Sequence, residues 1–529
     1  MLKSLPIKFM QSLAQTVSLL CVSILLIFLS AMVLFIALKG SEYFIPKSAY
    51  KVSISFSDES QSVAYEVSSL SAAELALQYE KRYKEQFLAH PQSRPVLTVQ
   101  LAEQVYQVVT KSGKTHFGEF YALIGPRKDA GNAITQDTAQ SSESQGVLPL
   151  KELNNLLNTV ALLQNNLSQI QQGKLQAIHQ NIANLDKSGV SADTPARSAL
   201  MLEFEKWQGY ANELERQIAQ YVIVFKQANE ELITISLHQL DRLTQPNQLS
   251  FVDKLNYSLD KIWQFLSDNP KQASTTGGVF PAIFGTLLMV ILMAVVVAPF
   301  GIIAAIYLHE YAPNNRTTQL IRIGISNMAA VPSIVYGVFG LGFFVYFLGG
   351  SIDALFYPQT LPAPTFGTPG LLWASLTMGL LTLPVVIVSA EEGLQRVPRG
   401  LRAGSYALGA TKFETIVRVV IPMASPGMLT GVILAVARAA GEVAPLILVG
   451  AVKFAPNLPI DGEYPFVHLE RQFMHLGVFI YDGAFHNQTQ TQSASLMFAT
   501  CMLLLIIVFL LNVSAIMFRH KLRNKYERL

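Results

Sequence analysis

Charge is what this sequence has little of. Asp, Glu, Lys and Arg make up 14% of its 529 residues, against about a quarter in an ordinary soluble domain, while apolar residues make up 51%. A chain so composed cannot cover its apolar surface with polar side chains in water, so it is an integral membrane protein long enough for more than one domain. Cysteine is nearly absent: Cys21 and Cys501 are the two present, and both lie inside apolar runs, which excludes a disulfide framework or a cysteine metal site and leaves them as packing residues. No G-x-x-x-x-G-K-[ST] loop occurs, so the chain has no P-loop site for ATP. His309, His468 and His475 lack companions at metal-ligand spacing and read as surface or packing residues. No catalytic constellation and no cofactor motif emerges. With 39 basic and 36 acidic residues the net charge is +3, and no basic patch interleaves with aromatics, so nucleic acid is not an expected partner.

What is present are six apolar runs long enough to cross a hydrocarbon core of about 30 Å: 17–38, 285–308, 329–348, 371–389, 429–452 and 496–518. Lys3 and Lys8 precede the first; Arg316 and Arg322 follow the second; a basic loop follows the fourth; Arg519, Lys521, Arg523, Lys525 and Arg528 follow the sixth. All four places fall on one face, which the positive-inside rule makes cytoplasmic, with both chain ends on that side. The loop 349–370 carries only Asp353 as a charge. The first run is longer than a signal core, and Lys39-Gly40-Ser41-Glu42 is not a small-x-small cleavage site, so it reads as a retained span.

Residues 1–38 are thus a cytoplasmic tip and first span, 39–276 a polar periplasmic extension, 277–519 the remaining membrane domain, and 520–529 a cytoplasmic tail. In the extension, 45–125 alternates with a period near two around Tyr50–Phe56 and Pro95–Val99, and Ser112-Gly113-Lys114 before Thr115–Tyr121 signals a hairpin. Residues 128–146 read as a linker. The stretch 150–245 reads as an antiparallel coiled-coil hairpin. One series runs through Leu153, Leu157, Val160, Leu163, Leu167 and Ile170, then after a stutter through Leu175, Ile178, Ile182 and Leu185. The other runs through Phe204, Trp207, Ala211, Leu214, Ile218, Tyr221, Phe225, Ala228, Leu232 and Ile235. Gly189 and Pro195 break the helix between them. Such a hairpin docks a periplasmic partner or a sister subunit, or buries its own stripes.

The loop 391–424 is basic (Arg396, Arg399, Arg402, Lys412, Arg418) and carries a small-residue turn, Ala403, Gly404, Ser405, Ala407, Gly409, Ala410, Thr411, between two short helical patterns. That is the form a membrane subunit needs to seat a compact helix in a cleft of a cytoplasmic partner. Glu391 and Glu392 read as a solvated face, with Arg396 or Arg399 as alternative partners. In the fifth run Arg438 and Glu442 stand four residues apart, on one face of a helix, where they neutralise each other or line a path on which Arg438 offers donors to an oxyanion. Gly441 and Pro445 make a local break plausible, and Pro332-Ser333 and Pro384 lie within spans three and four, where they free backbone groups.

The spacing Gly409-x9-Val419-x-Ile421-Pro422 resembles the coupling-loop signature of ABC importer permeases, EAA-x3-G-x9-I-x-LP. The stretches GGVFPAIFGT, NMAAVPSIVYGVFGLGFF, FGTPGLLWASLTMGLLTLPVVIVSAEEGLQRVPR and ILAVARAAGEVAPLILVGA resemble phosphate-importer permeases of the PstA type, over about residues 277–519. One position departs: Ala403, followed by Gly404 and Ser405, stands where the family signature opens with glutamate.

The resemblance implies an α-helical membrane fold of six transmembrane helices with a MetI-like permease core. It implies a role as transmembrane subunit of an ATP-driven importer of inorganic phosphate in a bacterial inner membrane. The expected partners are a separate cytoplasmic ATPase dimer, a sister PstC-type permease, a periplasmic phosphate-binding protein and membrane lipid. Its fifth span carries the same Arg-x-x-x-Glu arrangement, which places Arg438 and Glu442 on the substrate path. The alternatives are the PstC-type subunit itself, a permease for sulfate or molybdate, or, in another class, a sensor whose hairpin receives a periplasmic signal. A sensor needs no coupling loop.

The orientation is open to test. With Cys21 and Cys501 replaced by alanine, single cysteines at Lys187 or Asp193 will react with an impermeant thiol reagent in intact spheroplasts, and one at Lys412 will not; the reverse pattern overturns the topology.

Overall fold

The computed structural model describes residues 7–55, 61–68, 70–82, 96–125, 149–187, 194–271, 277–358, 362–462, 466–486 and 491–526. The linker read at 128–146 lies outside them, as does the helix-breaking stretch 188–193. The chain forms two compact units. One comprises Met1–Phe44, Lys261–Pro270 and Ser274–Leu529; the other comprises Ile45–Asp260 and Lys271–Ala273.

Among the described residues of the first unit, six helices are long and apolar enough to cross a membrane: Gln15–Ser41, Phe280–Tyr311, Ser333–Phe356, Leu371–Gln395, Lys412–Gly441 and Ala494–Lys521. Spans three and five are the ones shifted most from the apolar runs. Span three starts at Ser333, because the preceding helix ends at Met328 and Pro332, with ψ 135°, caps the new one; a residue before or at a proline is biased out of the helical region. Pro332 therefore begins the span and does not interrupt it. Span five starts earlier and stops at Gly441, where Glu442 turns extended; Val443 then precedes a separate short helix, Ala444–Val449, with Pro445 in its first turn.

Span four is the most enclosed of the six, with buried residues from Leu371 to Leu394, and packs against spans two and five. Small residues set the distances: a Cβ on Gly301 would stand 2.7 Å from a Val386 methyl, and such close approach is what holds helices together when lipid tails are as apolar as leucine. The hydroxyls of Ser375, Thr377 and Thr382 donate to the carbonyls of Leu371, Trp373 and Met378 at 2.8, 2.7 and 2.9 Å, so these three hydroxyls are satisfied within their own helix. Pro384 is buried in the same packing. On the side of span three away from the basic loops, the lone charge of loop 349–370 has a structural use. Asp353, 1% exposed, accepts the backbone N–H groups of Phe366 and Gly367 at 2.8 and 2.6 Å and pins the loop.

In the second unit, β1 (Ser48–Ser55), β2 (Gln61–Ser68) and β3 (Val96–Leu101) form an antiparallel sheet in the order β2-β1-β3, covered by α2 (Ala72–Arg82), whose Leu75 is buried against Tyr50, Val52 and Ile54. A second sheet, of β4 (Val105–Thr110), β5 (Thr115–Ile124), β6 (Val222–Lys226), β7 (Leu232–Ser236) and β8 (Leu240–Thr244), has the order β7-β6-β5-β4-β8. Its β4 (Val105–Thr110) and β5 (Thr115–Ile124) form the hairpin read from Ser112-Gly113-Lys114, with Gly113 at φ 88°.

The helical hairpin is inserted between β5 and its neighbour β6. Its arms are α3 (Leu150–Gln169), continued through a π turn (Ile170–Leu175) into α4 (Gln176–Lys187), and α5 (Pro195–Ala219). The π turn is the stutter. It absorbs one extra residue, so that Ile170 and Leu175, five apart, are both buried on the face that meets Ala211 and Leu214.

The hairpin reading overran its end. The helix stops at Ala219, and Tyr221, Phe225, Leu232 and Ile235 lie in or beside strands: β6 (Val222–Lys226) and β7 (Leu232–Ser236), followed by β8 (Leu240–Thr244). Val222-Ile223-Val224-Phe225 is a β-branched and aromatic run. β5 offers it a paired edge, with Phe225 opposite Phe120. A step of four is also two strand periods, so Tyr221 and Phe225 keep the helical spacing while lying, with Ile223, in one core. Those side chains, 0% and 2% exposed, share a core with Leu153, Val160 and Ile218 at the root of the hairpin.

Phe225→Ala will therefore cost about 3–5 kcal/mol, the range for a buried phenylalanine in a packed core, whereas Leu202→Ala, at a position 68% exposed, will cost little. Limited proteolysis of the full-length protein in detergent checks this: rapid cleavage of the second unit only in the Phe225 variant is the expected result.

Candidate functional site

Two places carry the residues singled out from the sequence. The first is the basic loop. Span four ends at Gln395, Pro398 caps a short helix α12 (Arg399–Ala407), and a second short helix α13 (Lys412–Thr415) leads through a π turn (Ile416–Val420) into α14 (Ile421–Gly441), the body of span five. The turn between α12 and α13 is closed by local hydrogen bonds. Ala410 N–H donates to the Ser405 carbonyl at 3.2 Å and Gly409 N–H to the Tyr406 carbonyl at 3.0 Å, the paired bonds of a Schellman motif. Gly409 adopts φ 85°.

Thr411 then opens α13 with a capping box. Its hydroxyl accepts from the Glu414 N–H at 3.3 Å, and the Glu414 carboxylate accepts from the Thr411 N–H at 3.0 Å. Ser405 and Thr415 hydroxyls meet at 2.9 Å and tie the two short helices together. The sequence pointed to the small residues here. The capping box was equally legible in Thr411-Lys412-Phe413-Glu414.

No residue of α12 is buried. Ala403, Gly404, Gly409 and Thr411 are exposed, Ser405, Ala410, Ile421 and Pro422 are half-buried, and the apolar side chains at the tip stand in the open: Leu408 is 91% and Phe413 67% exposed. A helix this short has little stability of its own. It is braced from behind. The Arg402 guanidinium reaches the Leu394 carbonyl at 2.9 Å and the Glu310 carboxylate at 3.0 Å. Lys412 donates to the Glu310 carbonyl and lies over the Tyr311 ring at 4.7 Å.

Glu391 pairs with Arg322 at 3.2 Å, and Arg322 also donates to the Leu308 carbonyl at 2.8 Å. The reading of Glu391 as a solvated charge, or as a partner of Arg396 or Arg399, is thereby corrected. Its partner comes from a helix distant in sequence, which spacing along the loop does not reveal. Glu310 was passed over because a lone His-Glu pair at a span end carries no periodicity. His309 sits 3.8 Å from it.

The second place is the break after span five. Arg438 lies in the last turn of α14, and Glu442, with φ −79° and ψ 132°, has left the helix. The two do not share a helical face, yet they meet, with Arg438 Nε 3.3 Å from Glu442 Oε1. Their side chains are 37% and 23% exposed, so the pair is only partly buried. The terminal guanidinium nitrogens have no partner among the described residues.

The other two histidines singled out from the sequence, His468 and His475, are both buried. His468, 6% exposed, has Asp461 and Glu470 carboxylates 3.0 Å from its two ring nitrogens. His475 is fully buried, accepts the Gly477 N–H at 3.1 Å, and is pushed down to about 4 by burial, so it is neutral at physiological pH.

The family model described as binding-protein-dependent transport system inner membrane component matches residues 297–523. The phosphate transport system permease protein PstA 1 of Mycobacterium tuberculosis (strain CDC 1551 / Oshkosh) is 36% identical over 184 residues, which are 35% of this chain and 55% of that protein. The phosphate transport system permease protein PstA of Yersinia pestis is 31% identical over 252 residues, 47% of this chain and 75% of that protein. The chain thus spans little more than half the length of the mycobacterial relative. Among solved structures, a chain of the MetNI methionine ABC transporter in inward-facing conformations is 18% identical, with a TM-score of 0.34, over 46% of this chain and 97% of that one.

The requirement for Gly409 is conformational. A Cβ there would meet nothing within 4 Å, but a β-branched residue held at positive φ costs about 1–2 kcal/mol. Gly409→Val will open the loop to trypsin at its flanking Arg and Lys residues, and Gly409→Asn, which tolerates the left-handed region, will protect it nearly as well as glycine. Equal protection of all three would refute the conformational account.

Proposed function

The chain belongs to the family of binding-protein-dependent transport system inner membrane components, and on that premise we propose that it is a transmembrane subunit of an ATP-driven importer of inorganic phosphate. The observation that carries this reading is the basic loop: a short helix with no buried residue, followed by an apolar tip, and held in shape by a Schellman turn, a capping box and the Arg402–Glu310 brace. An exposed apolar tip on a rigid support fits a cleft in a cytoplasmic partner, here an ATPase dimer. The chain brings no P-loop of its own, so ATP is hydrolysed by that partner. A sister PstC-type permease completes the path, and a periplasmic binding protein delivers the substrate on the side that carries residues 45–260.

The mechanism is alternating access. Closure of the ATPases displaces α12 and α13, the brace at Glu310 and the pair Arg322–Glu391 pass the movement to spans two and four, and the paired bundles rock. Arg438 handles the anion: its Nε is held by Glu442 while two terminal nitrogens remain to donate to an oxyanion. Phosphate is favoured over sulfate or molybdate by the kinship with PstA proteins.

Uptake of labelled phosphate in a strain lacking the chain, restored by the wild type and competed by sulfate or molybdate only weakly, is the expected result; equal competition assigns another oxyanion. Removing one member of a well-buried ion pair costs about 3–5 kcal/mol, and less here because Arg438 is more than a third exposed. The double variant Arg438→Gln with Glu442→Gln will therefore reach the membrane at normal abundance and still fail to import phosphate. Full uptake by that variant would reduce the pair to a structural one.

A further inference from the structure

Outside the six spans the helix α6 (Phe251–Ser267) presents an apolar face that is left exposed among the described residues. Phe251, Val252, Leu255, Leu259, Ile262 and Trp263 are all exposed, Phe251 by 82% and Trp263 by 72%. At 3.6 residues per turn these six, with the half-buried Leu266, fall within an arc of about 120°. Asp253, Asp260 and Gln264 fall on the opposite side, and Lys254 and Lys261 on one flank. Such segregation is not scatter. Six large apolar side chains left in water along one stripe would be an aggregation liability unless something apolar meets them.

The position of the helix says what meets them. Its C-terminal end is fixed where the chain leaves span one and where it enters span two. Phe265, 3% exposed, packs on Phe44 and Tyr43 at ring distances of 5.3 and 5.8 Å, immediately after span one ends at Ser41. Lys261 Nζ lies 4.4 Å over the Tyr43 ring. The Phe265 carbonyl accepts the Val279 N–H at 2.8 Å, one residue before span two starts at Phe280. The end of one span and the start of the next mark the membrane boundary. The helix held there carries aromatic residues on its apolar face and lysines at its edge, the side chains that settle at a headgroup region, ring inward and ammonium outward.

We propose that α6 is an interfacial helix, lying in the plane of the outer leaflet with the Phe251–Trp263 face in the headgroup–acyl boundary and Asp253 and Asp260 toward water. The mixed lysine and aspartate charge makes the attachment hydrophobic in origin, so it does not need anionic lipid. It is continuous with the membrane domain and needs no partner protein.

The test uses the full-length chain with Cys21 and Cys501 replaced by alanine, reconstituted in vesicles of phosphatidylethanolamine and phosphatidylglycerol. Single cysteines replace Leu255, Leu259 or Trp263 on the apolar face, and Asp253, Asp260 or Gln264 on the other. A spin label at each reports collisions with oxygen, which concentrates in lipid, and with a water-soluble nickel complex. The expected pattern is periodic: the first three positions several-fold richer in oxygen collisions and poorer in nickel collisions than the last three, unchanged when phosphatidylglycerol is replaced by phosphatidylcholine. Equal nickel access at all six positions would mean a solvated helix. Shielding of the apolar positions from both reagents would mean a protein contact. Either result overturns the proposal.

Discussion

In a bilayer no water is available to a broken backbone, so every N–H and C=O at depth must find its partner within the protein. That constraint accounts for most of what is unusual in the membrane unit. Serine and threonine in span four donate to carbonyls one turn back, and spans two, three and five contain π turns at Tyr307–Tyr311, Gly340–Gly349 and Ile416–Val420, which change the helical pitch while keeping the ladder closed. Where the helix is interrupted after Gly441, backbone groups are taken up at once: Glu442 N–H reaches the Ala439 carbonyl at 3.4 Å and Leu446 N–H the Val443 carbonyl at 3.0 Å. The break falls at the end of span five, and the two charges sit on either side of it.

The basic loop obeys the opposite logic. In water its backbone is free to hydrate, so its shape must come from caps and charges. The Schellman turn and the capping box close both helix ends around Gly409, and Arg402 and Lys412 fasten them to Glu310 at the foot of span two. Ala403 stands where the related signature has glutamate, and the acidic residue that braces the loop comes from Glu310. The Glu310 side chain is only 7% exposed, so its pair with Arg402 resists screening by salt far better than a surface ion pair does.

In the second unit one sheet holds the whole helical hairpin between two adjacent strands. Because β5 and β6 are neighbours, the chain can leave and return to the same edge, and the arms add their apolar stripes to a core the sheet has already begun. Phe225 and Ile223 are satisfied inside that core, and so is the lower part of the seam that would otherwise ask for a partner.

The sequence by itself determined the spans, the basic loop, the β4–β5 hairpin and the two helical arms, because each rests on a local signal: a long apolar run, a turn residue or a repeated stripe. Even the π turn was visible as a five-residue step between Ile170 and Leu175. What tertiary structure decided was where local signals were ambiguous or silent. Residues 221–235 fit a helical seam and a strand equally, and the open edge of β5 settled it. Arg438 and Glu442 were four apart, and the break at Glu442 replaced helical geometry with a turn that still joins them. Glu310 and Arg322 found Arg402 and Glu391 across dozens of residues, and no periodicity records a contact between elements. Electrostatic pairing depends on distance in space, which the chain acquires only when its helices pack.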